Sequence, residues 1–97
     1  MRAVRERLMT EDRVEEYLNT RVKFWRGVTV KLPAMFYPGI PDRMVLLPGG
    51  RVIFIELKRP VGGKFEPFQP LWIRRLKRLG FAVYVCNTKE SVDDALA

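Results

Sequence analysis

A chain of 97 residues, 47% apolar and 30% charged, has material for one compact module; with no apolar run near the roughly 20 residues of a spanning helix, it reads as cytoplasmic, without a signal peptide. No histidine and a single cysteine, Cys86, exclude protease triads, cysteine-based zinc sites and internal disulfides, leaving carboxylates, Lys, Arg, Gln and hydroxyls for chemistry. Eighteen Lys and Arg against eleven Asp and Glu give a net charge of +7, which favours an anionic partner, nucleic acid first.

The first nine residues read as a helical extension or a basic arm. Thr10 is an N-cap candidate, Glu11 and Asp12 suit a first helical turn, and Val14, Leu18, Val22 and Trp25 recur along one side, predicting an amphipathic helix of about four turns. "GVTVKL" is a strand, followed by a turn-rich loop carrying Pro33, Pro38, Gly39 and Pro41. "DRMVLL", "PGG" and "RVIFIELK" predict a hairpin. After the Gly- and Pro-rich "RPVGGKFEP", a helix is expected from Pro67 to Leu79, with Leu71 or Trp72, Leu76 and Leu79 inward and Gly80 as its stop. "FAVYVCN" is a further strand, and "SVDDALA" predicts a short last helix capped by Ser91. A strand, a helix and a strand in succession favour a crossover that sets the fourth strand parallel to "RVIFIELK" and makes the latter interior.

An interior strand makes its charged residues informative. Strand alternation puts Glu56 and Lys58 on one face, about 7 Å apart along the chain. If Leu47 pairs with Arg51 across "PGG", Asp42 falls opposite Glu56, with Cβ atoms about 5 Å apart. That inference belongs to this register alone; a slip of one residue sends the two carboxylates to opposite faces. Paired carboxylates repel unless an ion neutralises them, and hard Mg²⁺ or Mn²⁺ binds such oxygens without histidine or cysteine. The backbone carbonyl of Leu57 is a further candidate ligand, and Lys58 can orient a water or meet phosphate charge. A metal-free salt bridge at a strand end is the plainer alternative.

The run "GIPDRMVLLPGGRVIFIELKRPVGGKFEPFQPLWIRRLKRLGFAVYV" resembles the VRR-NUC domain, a branch of the PD-(D/E)xK nuclease superfamily, in the short standalone form carried by phages and bacteria. Pro41-Asp42 and Glu56-Leu57-Lys58 match the superfamily signature, while Gly39, "LPGG", Gln69 and "LGFAVYV" match the branch. The resemblance implies a single domain over residues 1–97. It also implies a restriction-endonuclease-like α/β core of helix, three strands, helix and strand, with a mixed central sheet and flanking helices. It makes Asp42 and Glu56 metal ligands and Lys58 catalytic. The family's first-helix glutamate, implied as a further metal ligand and catalytic residue, falls on Glu15, with Glu16 adjacent, and its catalytic-site glutamine on Gln69; either is otherwise an ordinary helix residue. Tyr37 stands where relatives often carry a small hydroxyl residue.

The implied activity is a Mg²⁺- or Mn²⁺-dependent DNA endonuclease. Its expected substrate is branched DNA such as a Holliday junction, cut by a homodimer in a bacterial cell, from a bacterial or phage gene. Lys23, Arg43, Lys64, Arg74, Arg75 and Arg78, with Arg26, Lys31 and Lys77, are candidate phosphate contacts; Trp25, Phe36, Phe65, Phe68 and Trp72 belong to a core or an interface. The competing reading is a non-catalytic nucleic-acid-binding domain on the same scaffold.

Overall fold

A computed structural model of the chain describes residues 10–59 and 62–97, so the expectation for the first nine residues lies outside the described residues, as do Pro60 and Val61. Helix α1 (Glu11–Phe24) is opened by the Thr10 side chain, which accepts from the Arg13 amide at 3.2 Å. Val14, Leu18 and Val22 are buried as their spacing predicts. Trp25 is not: the helix ends one residue earlier, leaving Trp25 as its cap and 42% exposed.

Strands β1 (Val28–Lys31), β2 (Arg43–Leu47), β3 (Arg51–Leu57) and β4 (Ala82–Cys86) form one sheet in that order. The first three are antiparallel, and β4 joins β3 in parallel. Leu47 pairs with Arg51, because Pro48–Gly50 turns the chain with Gly49 and Gly50 at φ 81° and 75°, a backbone that L side chains resist. The ladder runs to Arg43 and Ile55, so the next pair in that register is Asp42 and Glu56.

One face of the sheet is closed. Val45, Leu47, Ile53, Ile55, Leu57 and Cys86 meet α1 and the terminal helix α3 (Lys89–Leu96), whose Val92, Ala95 and Leu96 are fully buried. Each buried Val, Leu or Ile among them contributes roughly 1.5–3 kcal/mol of burial. Tyr17 donates to both carboxylate oxygens of Asp93 at 2.9 Å, and Arg21 reaches the same group at 3.2 Å, tying α1 to α3. The cap of α3 is Thr88 rather than Ser91; Ser91 is the third helical residue and completes a reciprocal capping box with it.

The other face is only partly covered, by α2 (Gln69–Arg78). Leu76 is buried there, and Phe54 meets Phe81 edge to face at 5.3 Å. The helix starts two residues later than its sequence suggests because Phe68 adopts a left-handed conformation, φ 71°. Leu79, expected inward, is 73% exposed because it falls past the last turn, as the helix cap.

Candidate active site

Alternation along β3 decides what each face receives: Ile53, Ile55 and Leu57 enter the closed core, while Phe54, Glu56 and then Lys58 point to the face that carries α2. Glu56 is 2% exposed, and its Oε2 accepts from Lys58 Nζ at 2.9 Å. Lys58 Nζ also donates to Gln69 Oε1 at 3.0 Å, and that oxygen accepts a second bond, from the Glu66 amide at 2.7 Å. Asp42 Oδ2 accepts from the Leu57 amide at 2.7 Å, which anchors it across the hairpin. Asp42, Glu56, Lys58 and Gln69 therefore converge, four residues from three separate parts of the chain.

Gln69 reaches this cluster because the loop before β2 docks on the start of α2. A Cβ on Gly39 would lie 2.6 Å from the Phe68 carbonyl carbon and 2.8 Å from the Gln69 nitrogen, so only glycine permits that approach. Trp72 Nε1 donates to the Pro38 carbonyl at 3.0 Å and Tyr37 stands edge to face on the same indole, holding the loop from the other side.

Burial holds the Glu56 carboxyl above the ordinary carboxylate range and the Asp42 charge adds to the rise, against the pull of Lys58 and of the nearby Gln69 side chain. Its Oε1 is buried with no hydrogen-bond donor among the described residues. A fold rarely leaves a buried carboxylate oxygen without a hydrogen-bond donor, a water or an ion beside it. A hard divalent ion fits this donor set of two carboxylates. Among the described residues no three acidic, Cys or His side chains converge into a protein-only cage. Such a set suits an ion that keeps most of its water, as Mg²⁺ does.

Two residues expected to serve the site meet each other in this fold. Arg43 follows Asp42 and so points to the closed face, where Nη2 donates to Glu15 Oε1 at 2.7 Å; its side chain is 12% exposed. In this arrangement it is an internal ion-pair partner. Glu15, expected at the metal, is the other half of that pair. The acid of α1 that senses the cluster is Glu11: desolvation raises its pKa first, then the Asp42 charge, while Lys58 lowers it. Its sequence signal was present, since Glu11 precedes Glu15 by one turn on the same helical stripe. Glu16 is exposed. Lys23, Lys64, Arg74, Arg75 and Arg78 are all exposed, as are Arg26, Lys31 and Lys77.

The VRR-NUC domain family model matches residues 33–90, which include Asp42, Glu56, Lys58 and Gln69. A protein of Acyrthosiphon pisum secondary endosymbiont phage 1, titled "Putative nuclease p44", is 38% identical over 84 residues, which cover 87% of this chain and 89% of that protein. A solved structure titled as a VRR-NUC domain superposes with a TM-score of 0.78 at 29% identity, covering 91% of this chain and 96% of the other. By sequence and by the mixed four-stranded sheet with its flanking helices, the chain belongs to the VRR-NUC family of nuclease domains, with a restriction-endonuclease-like core.

Proposed function

We propose that the chain is a Mg²⁺- or Mn²⁺-dependent endonuclease that hydrolyses phosphodiester bonds in branched DNA, with four-way Holliday junctions as the leading substrate. The observation that carries this reading is the buried Glu56 carboxylate, paired on one oxygen with Lys58 and unmet on the other, beside Asp42. Asp42, Glu56 and the Leu57 carbonyl would hold the ion, with Glu11 rather than Glu15 as the helix acid nearest to it. The ion supplies charge neutralisation and an acidified water when bound. Lys58, fixed by Gln69, places one positive charge where the attacked phosphate gains negative charge. Lys23, Lys64, Arg74, Arg75 and Arg78 would hold the backbone, so affinity falls steeply as salt rises.

A resolvase cuts two strands related by two-fold symmetry, which calls for a homodimer. The part of the sheet face that α2 leaves uncovered carries Val28, 59% exposed, and Leu46, 37% exposed, and offers an apolar surface to a second copy. No helix among the described residues is long and apolar enough to cross a membrane, in keeping with action in the cytoplasm of a bacterial cell.

The decisive experiment compares a four-way junction, a flap, a nicked duplex and a single strand with wild type, Glu56→Ala and Lys58→Ala, in Mg²⁺, Mn²⁺ and EDTA. Metal-dependent paired cuts at the junction, abolished in both variants while folding is kept, are expected. Binding without metal-dependent cutting on any substrate would leave a non-catalytic DNA-binding domain instead.

A further inference from the structure

Phe65 and Phe68 border the cluster, Trp72 lies one turn along α2 from Gln69 and Tyr37 packs on Trp72, and the fold leaves all of these but Trp72 largely in solvent. Phe65 is 51% exposed, Phe68 61% and Tyr37 52%. Their positions are fixed relative to the chemistry. The Phe65 ring centroid lies 5.6 Å from Lys58 Nζ. Phe68 immediately precedes Gln69, and its own Cβ packs where Gly39 has none. Tyr37 stands edge to face on Trp72, 6.2 Å between centroids, and Arg75 approaches that indole at 5.8 Å.

Phe68 is the most informative of the four. At φ 71° a side chain with a Cβ is strained, and glycine or asparagine would hold the same turn at lower cost. The ring gains little in return from packing, since most of it faces water. A strained position that keeps an exposed phenyl ring next to the residue that fixes Lys58 points to a use outside the fold.

Cations are interleaved with these rings: Lys64 beside Phe65, Lys58 over it, and Arg75 on Trp72. Protein-binding patches are depleted in lysine at their centre, whereas surfaces for single-stranded nucleic acid combine stacking rings with backbone-pairing cations. Inside a duplex each base's faces are covered by the pairs stacked above and below it, so rings find a free face where the stack is interrupted, as in an unpaired strand.

We infer that Phe65, Phe68 and Tyr37 form a stacking wall for unpaired bases flanking the cut phosphodiester, so that the site takes strands splayed at a junction or flap in preference to intact duplex. This rests on the nuclease reading for the identity of the polymer.

The test measures binding without metal, in the wild-type chain, to a fully paired duplex and to the same sequence with an unpaired segment carrying 2-aminopurine. Wild type is expected to quench the unpaired fluorophore. Phe65→Ala and Phe68→Ala should each weaken that complex roughly ten- to a hundredfold, with duplex affinity changed less than about twofold. Phe65→Trp should restore binding and Phe65→Leu should not, because a leucine supplies apolar area without a stacking face. Phe68→Gly should raise the melting temperature while losing the unpaired-strand complex. Equal losses on both DNAs, rescue by leucine, a lowered melting temperature in Phe68→Gly, or conversion of a dimer to a monomer by Phe65→Ala would each overturn the inference. The nuclease reading is scored separately: cleavage in Mg²⁺ that is indifferent to both phenylalanines sinks the wall alone, and intact base stacking by a chain that never cuts sinks the nuclease alone.

Discussion

The two faces of the sheet receive alternate residues of the same strand and do opposite things with them. On the closed face Ile53, Ile55 and Leu57 are at most 2% exposed, in a contiguous apolar core closed by α1 and α3. On the other, Glu56 is as deeply buried but carries a charge that its surroundings disfavour, with one oxygen unmet among the described residues. Burial depth alone therefore does not say whether a residue of β3 stabilises the protein. The first face contributes stability, and the second holds a group whose charge, paired with Lys58 on one oxygen, is still disfavoured by its burial.

Substitutions one residue apart should separate these roles. Ile55→Ala should cost about 2–5 kcal/mol in denaturant unfolding, enough to threaten a domain of this size. Glu56→Gln should change unfolding little and yet lower cleavage on the order of 10²–10³-fold. Its sign with pH also differs. A carboxyl held above its unfolded value favours the protonated state, so the metal-free wild type loses stability as pH rises through that raised value, while Glu56→Gln lacks this fall. Equal destabilisation by the two substitutions would erase the distinction between the faces.

Helix α1 carries two acids one turn apart that meet different charges. Glu11→Gln should lower cleavage about tenfold with its melting temperature kept, because it touches the field of Asp42 and Lys58. Glu15→Gln should instead cost about 1–3 kcal/mol, since it leaves the nearly buried Arg43 guanidinium with a weakened partner. A larger loss of cleavage in Glu15→Gln than in Glu11→Gln would return the metal-site role to Glu15.

The smallest effect belongs to Cys86, on the closed face. Burial pushes its thiol up to about 11, and Sγ–H points to the Ser91 carbonyl at 3.6 Å. A thiol reagent at neutral pH should react only as fast as the protein opens. The thiol's contribution to stability should be lost as pH climbs from the unfolded value through about 11. Prompt labelling of the folded chain would show that this end of the core is not closed.

Much of this arrangement was legible in the chain because it follows from local rules. "PGG" dictates a turn of known length, the turn dictates register, and register puts Asp42 beside Glu56. The same alternation also sends Arg43 away from Asp42, a consequence hidden by reading basic residues as a surface property. The start of α2 was not legible, because Phe68 takes a left-handed conformation that only the docking of the distant Gly39 loop explains. Nor did the terminal helix announce its weight: Val92, Ala95 and Leu96 are few and small, and their full burial depends on α1 lying across from them. Glu11 was masked by a sufficient local explanation, since an acid in a first helical turn is favourable in any protein.

Gln69 accepts from Lys58 at one end of a chain excursion and from Glu66 near its other end, through a single oxygen. One amide thus acts as a clasp that joins the end of β3 to the start of α2. Insertions or deletions around Gly62 can then reshape what meets the DNA without displacing the lysine. The same nuclease centre can in this way be fitted with different outer loops, at the cost of making the exchange of Gln69 for any side chain lacking a carbonyl oxygen loosen both ends at once.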